Sequence, residues 1–412
     1  MIDARRALHF SLRQPWILLP VLGALMLAAA ACSGSAPPAG DGASGAAASG
    51  SSSGSADTGE FIPVGEYGSL TGQTAAFGTS TDHGIQLAID EINAGGGVLG
   101  KKIKVYLEDD QSKAEEVPAV VSKLIDQHKV VALLGEVASS RSLAAAPIAQ
   151  RNKVPMISPS STNPEVTKKG DYIFRMCYLD DFQGASMARF AFNSLGKKKA
   201  AVLFDIKNDY SVGLSGFFMD EFKKLGGTVA AKESYEEGAN DFRAQLTKIK
   251  SAQPDFLFVP GYYADAAKIA KQARDLGIDI PFLGGDGWES AKLFEIGGKS
   301  VEGSFYGNHY FAGDQAPAVA NFVQKFKERY GEQPDSMAAL GYDAAKLLAD
   351  AIKRAGSTDG EALRKALSET SGWSGVTGTM SFDANRNPVK PIVILEIKDG
   401  QLALKESMKP QS

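Results

Sequence analysis

Ala200-Ala201-Val202-Leu203-Phe204 is an unbroken apolar run flanked by helical periods. A strand with one wet face alternates apolar and polar residues. A run without polar positions is a strand covered on both faces, the signature of a parallel sheet between helices. Outward from this run the pattern repeats at Val229 to Glu233, Phe256 to Val259 and Pro281 to Leu283, with a helical stretch between each pair. Upstream stand Ile62 to Tyr67, Ile103 to Leu107, Val130 to Leu134, Val154 to Ile157 and Tyr172 to Met176. Helical faces lie between them, through Ile85, Ala88, Ile89 and Ile92, through Val117, Val120, Val121 and Leu124, and from Ser139. This double alternation predicts an α/β protein of two doubly wound parallel-sheet lobes joined by crossover strands. Helical periods at Phe322 to Tyr330 and Met337 to Ala355, then strand-like Thr377 to Phe382 and Pro391 to Ile397, make no third series. The economical reading has the chain cross back, the late helices completing the first lobe and the final strand joining the second. Ligands of open α/β sheets bind beyond the carboxyl ends of the strands, so the cleft between the lobes is the expected site.

The chain opens in another style. Arg5, Arg6 and Arg13 precede an apolar stretch from Trp16 to Leu27 that Pro20 and Gly23 interrupt, the layout of a signal peptide. Ala29-Ala30-Ala31-Cys32 resembles a bacterial lipoprotein lipobox, with Ala29 where Leu is usual, and makes Cys32 the expected lipidation site. Ordinary cleavage near Ala31, releasing a free product, is the alternative. Ser33 to Gly59 is Gly/Ser/Ala text with Asp41 and Asp57 as its charges, which cannot bury enough apolar surface to order itself. As a flexible tether of about 26 residues its typical reach is on the order of 25 to 30 Å. The expected division is therefore 1–31 leader, 32–59 lipidated Cys and tether, 60–180 with 308–384 the first lobe, and 181–307 with 385–408 the second.

The 412 residues carry a net charge of −4, and the leader's arginines outnumber its Asp3, so the remainder is more acidic still. No basic patch stands out, which argues against nucleic acid. Of the two cysteines, Cys32 is assigned to lipid, leaving Cys177 without an intramolecular disulfide partner. His9, His83, His128 and His309 show no metal-ligand spacing and read as surface or satisfied histidines. Gly95 to Lys102 nearly matches a phosphate-binding loop, but Lys102 replaces its final Ser/Thr and helix and strand come in the wrong order. Asp383 to Asn387 starts like a calcium loop, but Pro388 stands where Gly is needed, so a turn is expected. No cofactor or metal is expected.

Three strand-end loops carry the chemistry. Gly135-Glu136-Val137-Ala138-Ser139-Ser140 opens a helix, gathering hydroxyls and free N–H groups at a positive helix end suited to a carboxylate. A plain helix cap reads equally well. Ser158-Pro159-Ser160-Ser161-Thr162-Asn163-Pro164 ends the next strand and is again rich in hydroxyls. In the other lobe Gly284-Gly285-Asp286-Gly287-Trp288 sets a carboxylate beside a large aromatic. An acidic group facing a carboxylate site is what a zwitterion needs.

These motifs coincide with a known family. From Phe61 to about Gly400 the chain resembles the periplasmic leucine/isoleucine/valine-binding proteins of ABC importers, whose type I two-lobe fold also serves as ectodomain in glutamate-type receptors. The resemblance is carried by Val64-Gly65 to Gly78 with Leu70-Thr71-Gly72, Ile92-Asn93-Ala94-Gly95-Gly96 to Gly100, Ile157-Ser158-Pro159 to Thr162-Asn163-Pro164, Asn208-Asp209-Tyr210, Pro260-Gly261-Tyr262 and Gly341-Tyr342-Asp343-Ala344-Ala345. It implies that an amino acid's carboxylate is held by Ser139, Thr162 and the backbone of Ser160. The ammonium would be held by Asp286 with Tyr210, with Asp180 as an additional candidate, and the ligand side chain met by Phe77 and Tyr262. Trp288 is added from its place beside Asp286. Many relatives have Glu where Asp286 stands, and Ala138 occupies the place of a Cys that often forms a disulfide in them.

Arg141, two places after Ser139, could reach an acidic ligand but is expected to be a solvated helix residue. The implied partners are a small-molecule ligand, an ABC permease and, through the lipid, a membrane; a monomer outside the cytoplasm is expected. A sensory ectodomain not coupled to transport is the alternative. An exported hydrolase pairing Asp286 with Glu289 is disfavoured for want of a nucleophile turn or metal set.

Overall fold

The computed structural model describes residues 61–410; the leader, Cys32 and the whole tether lie outside them. The first series runs β1 Phe61–Gly68, α1 Ala75–Ala94, β2 Lys102–Asp109, α2 Val117–Asp126, β3 Leu133–Leu134, α3 Ser139–Arg151, β4 Met156–Ser158 and β5 Ile173–Arg175. Its sheet is wholly parallel, in the order β2-β1-β3-β4-β5. The second series runs α4 Asp180–Arg189, β6 Lys199–Asp205, α5 Asp209–Lys224, β7 Thr228–Tyr235, α6 Arg243–Ala252, β8 Phe256–Val259, α7 Tyr263–Asp275, β9 Phe282–Gly284, α8 Ala291–Gly297 and β10 Phe305–Asn308. Then come α9 Pro317–Tyr330, α10 Ser336–Ala355, α11 Gly360–Ser368, the ribbon β11 Trp373–Gly375 with β12 Gly378–Met380, and β13 Ile392–Lys398 with β14 Gln401–Met408. The second sheet has the order β14-β13-β10-β9-β8-β6-β7, parallel from β7 to β10, with β13 and β14 added antiparallel.

Strand order reverses beside β1 in one sheet and beside β6 in the other. Each reversal opens a crevice at the carboxyl ends of the strands, and the loops that leave those ends face the gap between the lobes. The first sheet is covered on both faces: Ile85, Ala88, Leu340, Leu348 and Leu367 pack on one side, and Val117, Val121, Leu124, Ala145 and Ala149 on the other. The second lobe has one large core that includes the Ala200 to Phe204 run.

The glycine in Gly341-Tyr342-Asp343 has a packing reason. α10 crosses α1 so closely that a Cβ on Gly84 would collide with the Ala338 carbonyl, and one on Gly341 with the Thr81 carbonyl. Local signals start the helices as well: Asn208 accepts from the N–H groups of Tyr210 (3.0 Å) and Ser211 (3.3 Å) to cap α5.

The chain passes between lobes along three segments, after β5, after β10 and before β13. The late helices α9 to α11 pack with the first lobe and β13 pairs with β10. Several elements depart from the sequence reading, α11 and β11 among them, which it had not marked. β10, Phe305-Tyr306-Gly307-Asn308, was not anticipated because Gly and Asn interrupt its apolar text. β14 has mixed exposure at the sheet edge and gives no apolar run. The strand expected at Thr377 to Phe382 shrinks to Gly378–Met380.

Candidate functional site

The two hydroxyl-rich loops of the first lobe are fastened to each other. Ser158 and Ser161 both donate to the Glu136 carbonyl, at 2.7 and 2.9 Å, and Ser161 Oγ is 2.7 Å from Ser142 Oγ. From β5, buried Arg175 donates to the carbonyls of Ser161 and Asn163, which fixes the 158–164 loop against the sheet. Some hydroxyls are thus consumed in holding the loops. Ser139 stands at the first position of α3, its Oγ accepting from Asn163 N–H at 3.2 Å, with Ser160 and Thr162 buried nearby.

Across the gap, Asp286 opens a short 3-10 turn after β9. Its Oδ1 accepts from Gln183 Nε2 at 3.0 Å; its Oδ2 is 2.9 Å from His309 Nε2 and 3.4 Å from Ser160 Oγ of the other lobe. Tyr210 Oη accepts from Gly287 N–H at 3.1 Å, and a Cβ on Gly285 would collide with that oxygen. Between these groups lies a cavity with about 190 Å³ of empty space, narrow enough to hold little more than one water. Phe77, Ser160, Tyr210, Tyr262 and Asp286 line it, with Val137, Gly287 and Met337, which the sequence reading had not singled out. The Tyr210 and Tyr262 rings stack at 5.5 Å, and Phe77 meets Tyr262 edge-on at 5.4 Å.

Four of the expected residues sit elsewhere around this cavity. Ser139 and Thr162 lie on the same loops as its first-lobe wall. Asp180 starts α4, wholly buried, its Oδ1 taking a 3.2 Å bond from Gln183. Burial, and then the charge of Asp286, push its carboxyl well above its usual value. Trp288 turns into the second-lobe core and donates its indole N–H to the Val259 carbonyl at 2.9 Å, because the 3-10 turn swings it behind the strand end. Glu289 lines a different cavity with Tyr306, Tyr310 and Phe294, so Asp286 and Glu289 do not form the carboxylate pair a hydrolase would use.

Arg141 corrects the expectation of a solvated residue: it is 3% exposed. Its guanidinium donates to Thr74 Oγ1 (3.0 Å) and the Ser112 carbonyl (2.9 Å), with Glu136 at 3.6 Å and Glu237 of the second lobe at 3.7 Å. Burial pushes the Glu136 carboxyl up to about 7, and Glu237 likewise to about 7. Arg141's charge is therefore taken up by protein groups. Asn163 Nδ2 donates to the Asp209 carbonyl (2.8 Å), Asp209 N–H to Ser140 Oγ (3.1 Å) and Tyr263 Oη to the Gln73 carbonyl (2.9 Å), so the lobes are joined across the gap.

His309 departs from the expectation of a surface or satisfied histidine: it is buried with Nε2 on Asp286 and Nδ1 without a partner, which puts it at the cleft, behind the cavity. Its ring lies 3.8 Å from that of Tyr178 on the first crossing segment. Cys177, on the same segment, is a buried free thiol pushed up to about 12 by burial. Among the described residues no cluster of His, Cys, Asp and Glu could hold a metal ion.

Residues 62–401 match the family model described as periplasmic binding protein. The chain is 33% identical over 330 residues to a Leu/Ile/Val-binding protein homolog of Brucella suis, covering 78% of this chain and 86% of that protein. A leucine-binding protein of Thermotoga maritima superposes with a TM-score of 0.82 at 40% identity, covering 85% of this chain and 99% of that one. The branched-chain amino acid substrate-binding protein of Streptococcus pneumoniae, solved with isoleucine, gives a TM-score of 0.81 at 35% identity, covering 85% and 100%.

Proposed function

The chain belongs to the periplasmic branched-chain amino-acid binding proteins of the type I fold, non-catalytic solute receptors of ABC importers; from that premise we propose that it captures an α-amino acid with an apolar side chain between its lobes. The observation that carries this reading is Asp286 facing, across a small ring-walled cavity that the lobes must part to widen for a ligand, the hydroxyl loops at the start of α3. The ligand carboxylate meets Ser139, Thr162, the Ser160 backbone and the positive end of α3. The ammonium meets Asp286, oriented by Gln183, with Tyr210 alongside. The side chain lies among Phe77, Tyr262, Val137 and Met337. Burial and the neighbouring Asp286 disfavour ionisation of Asp180, so Asp286 is the acidic group offered to the ammonium. The leucine and isoleucine of the solved relatives have this chemistry.

Closure supplies the signal. Arg141, Asn163 and Ser140 reach second-lobe groups, and a ligand that touches both lobes favours the joined state in proportion to its differential affinity. An ABC permease then distinguishes loaded from empty receptor. Lipid at Cys32 and the tether through Gly59 keep the receptor at the membrane. The test is a thermal-shift screen over aliphatic and aromatic amino acids and their deaminated analogues, followed by calorimetry. Leucine, isoleucine or valine should raise the melting temperature, and Ser139→Ala and Thr162→Ala should weaken the effect. A protein stabilised by none of the amino acids refutes the reading. For the anchor, Cys32→Ser should release the protein from membranes.

A further inference from the structure

His309 lies where an amino-acid receptor has least need of a titratable base. Its Nε2 is 2.9 Å from Asp286 Oδ2, its side chain is fully buried, and its Nδ1 has no hydrogen-bond partner. Facing it are Asp286 from the turn after β9, the Tyr178 ring from the first crossing segment and the charge of Lys390 from the third; Asp286 is itself held by Gln183 of α4, which also bonds Asp180, and met by Ser160 of the first lobe. Among the described residues Asp286 is the one acidic group in hydrogen-bond contact with it.

One carboxylate therefore has two claimants, the imidazolium and a ligand ammonium. Resting on the reading of Asp286 as the ammonium anchor, we propose that His309 determines ligand specificity by its proton: neutral His309 leaves the charge of Asp286 for an amino acid, whereas protonated His309 supplies the counter-charge from within. In the second case the cleft accepts the 2-oxo acid with the same side chain, which has the carboxylate but no ammonium.

Burial lowers the His309 pKa from its usual 6.5 and the Asp286 contact raises it, with burial the larger effect. The neutral form, donating Nε2–H to Asp286, is the one at neutral pH, and the exchange lies on the acid side of 6.5. A bound ammonium disfavours the imidazolium, so by linkage the imidazolium disfavours the ammonium ligand equally. For the oxo acid the coupling has the opposite sign, because an unpaired Asp286 repels a second anion.

The experiment measures dissociation constants of leucine and 4-methyl-2-oxopentanoate at pH 7.5 and 5.0 by calorimetry, for the natural protein and for His309→Gln, which keeps a donor near the Nε2 position but cannot titrate. In the natural protein the preference for leucine over the oxo acid should fall by at least about fivefold on acidification. In His309→Gln it should stay constant within about twofold, although other acids of the cleft still titrate. A constant ratio in the natural protein, or the same change in His309→Gln, overturns the role of His309. Failure of leucine to bind at pH 7.5 instead overturns the reading of the cleft. Should His309→Gln not fold, leucine binding to the natural protein at pH 5.0 in two buffers of different ionisation enthalpy must show proton release; none refutes the proposal.

Discussion

At the rim of the cleft, Arg141 sits between acids of both lobes, Glu136 from its own and Glu237 from the other. At the back, Asp286 is bound to Gln183 and to His309, groups on or beside the crossing segments. Arg141 and Glu136 at the rim are buried and Glu237 half-buried, the groups at the back are buried, and desolvation acts on the two clusters with opposite sign. It raises the acids at the rim toward neutrality and lowers the histidine at the back. The rim thus takes up protons where the back resists them. On the proposed reading, the cluster shared between lobes serves closure, and the one tied to the crossings serves recognition.

The strongest way to break this comparison is Asp286→Asn. Removing one member of a buried charge pair costs about 3 to 5 kcal/mol, so leucine affinity should fall on the order of 100-fold or more by calorimetry, with little change in melting temperature. If affinity survives, recognition does not reside at the back. Next in size, Arg141→Met leaves Glu136 and Glu237 without their shared cation. Leucine affinity should fall about tenfold, mostly through faster dissociation, as about 1.4 kcal/mol of closure is lost. Stopped-flow release separates this from a defect in capture.

A smaller effect sharpens the electrostatic contrast. Glu136, Glu237 and Glu289 at about 7, with Asp265 at about 6, have raised pKa values and bind more protons folded than unfolded between about pH 4.5 and 7. Stability should therefore fall as pH rises through 7, with the melting temperature dropping by on the order of 3 °C between pH 5.5 and 8. His309 contributes in the opposite direction below 6.5. Glu136→Gln and Glu237→Gln should flatten the profile; an unchanged slope would show that the rim acids are not its source. Smallest of all, Asp180→Asn keeps the size of a carboxyl whose charged form burial disfavours, and leucine affinity should stay within about threefold.

The lobes were legible because apolar runs such as Ala200 to Phe204 declare their burial without help from distant residues. Phe77, Ser160, Tyr210, Tyr262 and Asp286 were legible because loops at strand ends converge in this architecture, and the family resemblance assigned them roles. Trp288 was placed at the ligand by its neighbour, whereas a single helical turn sends the two side chains to opposite sides of the strand end. Arg141 was misjudged because Glu237, one of the groups that holds it, is brought in by the other lobe; Glu136, five residues away, was the available hint. The contact of His309 with Asp286 left no trace, since twenty-three residues and β10 itself, an unannounced strand, intervene.

The position of β10 in the second sheet has a consequence for the order of assembly. One edge of β10 pairs with β9, which precedes it in the chain, but the other edge waits for β13, which arrives only after α9, α10 and α11 have been laid on the other lobe. Until then β10 is an open edge, available for mispairing, and α1 lacks the helix that packs against Gly84. Neither lobe can be completed from one continuous stretch of chain: the first waits for α10 and the second for β13, so the fold closes only when its last strands are in place.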